Sequence, residues 1–347
     1  DIRAGRAMVH LDAATTRSGD KLLLALNVEP DREKLDIDAE VIAPAGGVLA
    51  AMLGRDQDLV VTLKGDGSWQ KWNGELNALG NGEPLAQLAL EAKDGLFAYD
   101  GTLTAALMPE GIAQKMASPD LAIKGSASLA DRLVTLDLDA RSAALSFTAK
   151  GGIDLGRNSL DAMRLETRLL DPSALAANMK AQDFELKALL NGKFPELRYQ
   201  YLLTAPQLAL GKTLLTNVRG EGEGQRDATG WDIPVELSVG TVIGNGELLK
   251  QLLSGFSATA LLRYEQDLLF AERARVATNV AKGTLDLELR PSTGDFAVNI
   301  DANAPGFAVQ GVGVADIIAR INLGPAPSGL AVDGEVNAKL RRFDIAF

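Results

Sequence analysis

PAGGVLAAMLGRDQDLVVTLKGDGSWQKWNGELNA, residues 44–78, holds in one stretch the ingredients that recur along this chain. Gly46 to Gly54 predicts a short helix, with Val48, Leu49, Met52 and Leu53 on one face and Gly54 suited to end it. Gly65-Asp66-Gly67 predicts a turn, because glycine takes positive φ without strain. Leu59, Val61 and Leu63 predict a strand with one apolar face, because strand side chains alternate with period two.

The same alternation extends on both sides. Upstream, Leu22, Leu24, Leu26 and Val28 share one face of DKLLLALNVE, residues 20–29. Leu35, Ile37, Ala39 and Val41 follow, with Asp36, Asp38 and Glu40 on the opposite face. Downstream come Leu88-Leu90-Ala92, Leu103-Ala105-Leu107, Leu136-Leu138-Ala140 and Leu145-Phe147-Ala149. Then come Phe184-Leu186-Ala188, Tyr199-Tyr201-Leu203, Leu208-Leu210 and Val235-Leu237-Val239. Leu285-Leu287-Leu289 is the clearest, interleaved with Asp286, Glu288 and Arg290; Phe296-Val298-Ile300 and Phe307-Val309 close the series. Turns are predicted at Gly80-Asn81-Gly82, Asp94-Gly95, Gly151-Gly152, Gly220 to Gly224 and Ser292-Thr293-Gly294. One-sided apolar faces at short spacing indicate antiparallel strands in a meander; buried parallel strands would read as continuous apolar runs.

Few helices are predicted beyond the first. Glu110 to Ala117 carries Ile112 and Met116. Pro172 to Ala181 has Asp171 as N-cap and turns Leu175 and Met179 inward. Gly246 to Ser254 carries Leu248, Leu249, Leu252 and Leu253 behind Asn245, and Gly313 to Arg320 leads into Ile317, Ile318 and Ile321. The starts at 46, 110, 172, 246 and 313 are 64, 62, 74 and 67 residues apart. That spacing predicts a repeat protein with units 46–109, 110–171, 172–245 and 246–312, flanked by partial units 1–45 and 313–347.

Composition bounds the function. The 347 residues are 46% hydrophobic but only 5% aromatic, with 35 Gly and 13 Pro. The net charge of −11 and the lack of a basic run exclude wide contact with nucleic acid or an anionic membrane surface. Without cysteine there are no disulfides, thiolate metal sites or thiol chemistry. Such a composition fits an envelope protein that avoids stray oxidation, although cytosolic proteins also lack cysteine. No apolar run approaches the roughly 18 residues of a membrane helix.

So much one-sided apolar sheet must be covered. A sandwich or solenoid would seal it; a curled, elongated sheet would leave it as the floor of a groove. The low aromatic content favours the groove, which then takes a ligand with long apolar parts. The floor candidates are Leu22, Leu24, Leu26, Val28, Leu35, Ile37, Val41, Leu59, Val61, Leu63, Leu88, Leu90, Leu136, Leu138 and Phe147 in the first half. In the second half they are Leu186, Tyr199, Tyr201, Leu208, Leu210, Val235, Leu237, Val239, Leu285, Leu287, Leu289, Phe296, Val298, Ile300, Phe307 and Val309. No inward charge is expected among them.

Residues 44–78 resemble the signature of TamB proteins, within the wider AsmA-like group of repeating β-groove proteins; the rest of the chain matches that group by pattern alone. The resemblance implies a curved, taco-like β-sheet with short helices between repeats. It also implies a periplasmic place, phospholipid carried between the inner and outer membranes, and a TamA-type outer-membrane barrel as partner. A membrane anchor would lie upstream of a fragment such as this one.

Catalysis has little to work with. His10 is the only histidine and no nucleophile elbow appears, so a surface or strand-edge role is expected for it. Gly311-Val312-Gly313 lacks the third glycine of a dinucleotide turn, and Asp36, Asp38 and Glu40 read as a solvated outer face. Trp69 and Trp72 read as edge packing. No enzyme activity, metal or cofactor is expected. Three readings stand: a lipid conduit holding acyl chains, a periplasmic scaffold that captures outer-membrane protein segments by β-augmentation, and a ligand-free solenoid.

Overall fold

The computed structural model describes residues 2–3, 6–15, 19–29, 32–47, 57–68, 70–108, 111–244, 250–251, 253–309, 313–326 and 329–343. The fold is mainly β, 74% strand and 6% helix, as an antiparallel sheet that does not close on itself. It divides into two units, Asp1–Arg157 and Asn158–Phe347.

The first unit runs β1 (Ile2–Arg3), β2 (Arg6–Ala14), β3 (Lys21–Glu29), β4 (Lys34–Ala43), β5 (Leu59–Gly67), β6 (Lys71–Gly80), β7 (Glu83–Lys93), β8 (Leu96–Thr104), β9 (Asp120–Ala130), β10 (Leu133–Arg141) and β11 (Leu145–Asp154). Each strand pairs antiparallel with the next. The register matches like with like: Leu24 lies opposite Leu11 and Ala39, and Val61 opposite Val41 and Ala78. On the other face Lys64 meets Asp38 at 3.6 Å, Lys124 meets Asp100 at 2.9 Å and Lys150 meets Asp137 at 3.0 Å. Such exposed pairs add under about 1 kcal/mol each. Their larger effect is on register, since a one-residue slip would turn every charge onto the apolar side.

The second unit runs β12 (Ser159–Leu169), β13 (Met179–Gln182), β14 (Glu185–Lys193), β15 (Arg198–Leu210), β16 (Thr213–Arg226), β17 (Trp231–Ser238), β18 (Thr241–Ile243), β19 (Ser257–Glu265), β20 (Leu268–Ala277), β21 (Lys282–Arg290), β22 (Asp295–Val309), β23 (Gly313–Ala326) and β24 (Gly329–Phe343). The meander is modified twice. β13 and β14 share β15, and β17 and β18 share β16. At Pro206 and Asn217 (φ 49°) the β15–β16 pair bends, so Leu208 and Leu215 join the packing around Ala205 and Val218.

Packing gathers at one end of the strands in each unit. In the first, Ala43, Leu59, Ala78, Leu85 and Ala86 form one cluster, and Ala105, Ala117, Leu121 and Ala140 another. In the second, Ala205, Val218, Val239 and Val242 pack with Phe184 and Phe256. Among the described residues no large side chain is fully buried. The chain exposes 21544 Å², whereas two closed globules of half its mass would expose about 16,000 Å² together. A single layer of sheet exposes more surface than a closed globule of the same mass.

Several expectations need correction. The helix expected from Pro172 is a 3-10 turn, Pro172–Ala174, capped by Asp171 as foreseen, and Met179 already opens β13. Gly313 to Arg320 is strand. Ile317, Ile318 and Ile321 are β-branched, and β23 is held between two fifteen-residue strands. Ala105 to Leu107 is a 3-10 turn beyond the end of β8. Gly220 to Gly224 lies inside β16, Gly151-Gly152 inside β11, and Gly65 to Gly67 within the last residues of β5. Ile112–Ala117 forms α1 within the expected 110–117, with Met116 buried but Ile112 58% exposed, and Lys250, Gln251 and Leu253 are helical within the helix expected at 246–254. The expected helix at Gly46 to Gly54, most of that at Gly246 to Ser254, Gly311-Val312 and Trp69 lie outside the described residues.

Candidate binding face

Cross-strand partners share a face, so the register defines the apolar surface residue by residue. In the first unit it links Leu22, Leu24, Leu26 and Val28 to Leu35, Ile37 and Val41, and these to Leu59, Val61 and Leu63. It continues through Leu76, Leu88 and Leu90 to Tyr99, then Ile123, Leu136, Leu138 and Phe147. Ala7, Val9 and Leu11 extend it onto β2.

The second unit has its own face. Leu186 meets Leu203, Tyr201 meets Gly222, and Leu237 meets Gly220 and Ala258. Leu285, Leu287 and Leu289 meet Ile300, Val298 and Phe296, and Ile321 meets Ile300. Val235 lies opposite Ala260 on this face. Every candidate named from the sequence lies in or beside a strand. Their exposures differ: Val28, Leu59, Val239 and Phe307 are packed, between 2 and 9% exposed, whereas Leu22 and Leu210 are 36 and 45% exposed. Leu208 packs in the bent corner, and Val309 lies opposite Gly313. His10 is exposed on β2 opposite Ala25.

Rings lie across the strand glycines. Cβ atoms on Gly65 and Gly74 would stand 2.1 and 2.2 Å from Trp72, and one on Gly224 would stand 2.5 Å from Tyr199. Glycine at these positions therefore makes room for a ring laid along the sheet. Trp72 is thus part of the apolar face, not an edge residue. The Tyr199 hydroxyl donates to the Asp232 carbonyl at 2.7 Å and the Tyr201 hydroxyl to the Pro234 carbonyl at 2.8 Å. Tyr199 also packs against Tyr201 and Trp231, with ring centroids 6.4 and 5.6 Å apart. Burial first, then the neighbouring Tyr201 and the charge on Asp232, pushes Tyr199 up to about 12. Burial also raises Tyr201 and, with Asp137 and Asp139, Tyr99.

Among the described residues, Arg226 departs from the expected lack of inward charge. Arg226 ends β16 opposite Trp231, on the face that carries Gly220, Leu237 and Tyr264. The sequence signal was present: residues 220, 222, 224 and 226 alternate, and reading Gly220 to Gly224 as a turn hid it. Trp72, Tyr99, Trp231, Tyr264, Ile317 and Ile321 were missed too, although the same period of two reaches them.

Cavities open on the opposite, charged face. One of about 690 Å³ lies among Arg164, Glu166, Lys187, Glu221 and Glu236, and one of about 730 Å³ among Lys64, Asp66, Glu75, Glu91 and Lys124. Charged side chains in their walls are paired, Lys124 with Asp100 across one wall, and Lys187 and Glu221 with Glu185 and Arg219 beside the other. They are gaps between charges rather than a built site. No group of His, Cys, Asp or Glu among the described residues could hold a metal ion, and no helix among them is long and apolar enough to cross a membrane. Compared with known proteins, the chain matches no family model, no curated protein and no solved structure.

Proposed function

We propose that the apolar face is a lipid-binding floor, and that the chain is a segment of a periplasmic conduit passing phospholipid between the inner and outer membranes. The observation that carries this reading is a face of Leu, Val, Ile and aromatic positions that extends from strand to strand in each unit without a covering layer. Each methylene taken from water contributes about 0.8 kcal/mol, so an acyl chain lying across several strands is held by area alone and can slide. The TamB-like wording of residues 44–78 supports the envelope setting, and in that family's arrangement a TamA-type barrel would be the outer-membrane partner.

The test is mass spectrometry of lipid that copurifies with the chain. The reading expects diacyl phospholipid in near-stoichiometric amount; purified chain free of lipid, after exposure to phospholipid vesicles as well, sinks it. A second reading, capture of outer-membrane protein segments, has one observation in its favour. β24 is a fifteen-residue strand paired only with β23 among the described residues, with Val336, Leu340 and Phe343 45 to 64% exposed. Such an edge is a template for another strand. Retention of a barrel-strand peptide by lipid-free chain would favour it.

A further inference from the structure

We infer that Arg226 and Trp231 form a headgroup stop: a point at the edge of the apolar face where the phosphate of a lipid is held while its acyl chains lie across the strands beside it. The inference rests on the face being a lipid floor and adds to it a place where the lipid pauses.

Arg226 is half-buried at the last position of β16, where the sheet of the second unit ends in the turn 227–230. A cation on an apolar face is costly unless it is held. Here Nη1 donates to the Phe194 carbonyl at 3.1 Å, and the guanidinium sits over the Trp231 ring, 5.6 Å from its centroid. Neither partner neutralises the charge. The nearest acid in sequence, Asp227, is engaged elsewhere: its carboxylate accepts from the Thr229 amide at 2.8 Å, the Thr229 hydroxyl at 2.6 Å and the Gly230 amide at 3.1 Å. Asp232 points to the other face, where it pairs with Arg263 at 2.9 Å. A guanidinium has five N–H donors in a planar fork, and this one uses a single hydrogen bond to protein among the described residues. The remaining donors suit two phosphate oxygens at once.

The surroundings match a lipid more than a free anion. Trp231 is followed along the same face by Ile233 and Val235, and Tyr264 lies directly opposite Trp231 on β19. Tyr199 packs on the other side of Trp231. An apolar floor begins at the residue that would hold the charge. The packed clusters of this unit lie at the opposite ends of these strands, around Val239 and Val242. A lipid held at Arg226 would therefore lie with its headgroup at the end of the strands away from that packing and its chains running toward it.

The test compares short-chain phosphatidylglycerol, diacylglycerol with the same acyl chains, and glycerol phosphate, titrated into the full 347-residue chain by calorimetry. The inference expects phosphatidylglycerol to bind about tenfold tighter than diacylglycerol, the effect of a charge-assisted hydrogen-bonded pair. Arg226→Gln should bring that ratio to about one, and Arg226→Lys should restore part of it. Equal affinities in the unaltered chain, or a ratio that Arg226→Gln leaves intact, would overturn the headgroup stop while leaving the lipid floor standing. Glycerol phosphate binding as tightly as phosphatidylglycerol would make this a site for free phosphate esters and overturn it too. Binding of neither lipid would overturn the floor and the stop together.

Discussion

The two units carry the same alternation but treat their rings differently. In the first, Trp72 and Tyr99 lie on the apolar face as filler over Gly65, Gly74 and Gly125. Among the described residues Trp72 Nε1 is buried without an acceptor, and no hydrogen bond joins the Tyr99 hydroxyl to another residue. In the second, Tyr199 and Tyr201 reach across Gly222 and Gly224 to backbone carbonyls of β17, and a charged residue stands beside Trp231. The first face is built for area alone. The second is pinned, and its rings have fixed places. A ligand held by area can slide over the first; on the second it meets oriented groups.

The pinned arrangement should break first at its glycines. A Cβ at Gly222 would fall 1.9 Å from the Pro234 carbonyl oxygen, whereas at Gly220 the nearest atoms are 3.8 Å away. Gly222→Val should cost about 3 kcal/mol or more in urea denaturation, and Gly220→Ala less than about 1 kcal/mol. Equal costs would mean that the rings do not need the glycines. Next, Leu287→Asp places a carboxylate on the apolar face opposite Ala271 and Val298. Copurifying lipid should fall about tenfold or more, because an acyl chain would have to desolvate the charge, while strand circular dichroism persists. Tyr201→Phe removes a hydrogen bond and should cost about 1 kcal/mol, whereas Tyr99→Phe should be close to neutral.

The smallest effect is alkaline. Burial holds the Tyr199 hydroxyl above the ordinary tyrosine value of 10.0, at about 12 in the folded chain. The folded state therefore holds this proton more tightly than the unfolded one. Its contribution is intact below pH 10 and is lost as the pH rises toward 12. Tyr99 shifts in the same direction. Stability measured between pH 9 and 12 should decline less steeply in Tyr199→Phe than in the unaltered chain; parallel curves would remove Tyr199 from the account.

The strands were legible because period-two alternation depends only on local sequence and one partner face. Leu285-Leu287-Leu289 between Asp286, Glu288 and Arg290 needed no tertiary context. Gly220 to Gly224 did need it. Three glycines with glutamates between them look like a turn until the rings of Tyr199 and Tyr201 fill the space beside Gly224 and Gly222. Residues 313–320 failed for the opposite reason. Isoleucines at 317, 318 and 321 satisfy a helical face, and only pairing with β22 and β24 selects strand. Arg226 was hidden by the same misreading as the glycines, so the apolar face was legible but the charge at its edge was not.

The central claim is that lipid meets one face of this sheet and not the other, and neighbouring residues test it directly. Photo-crosslinking groups placed singly at Leu24, Leu138 and Leu287 should each capture phospholipid in cells. Groups at Ala25, Asp137 and Asp286, one residue along the same strands and on the opposite face, should capture none. Equal capture from both sets, or none from the first, would contradict the account.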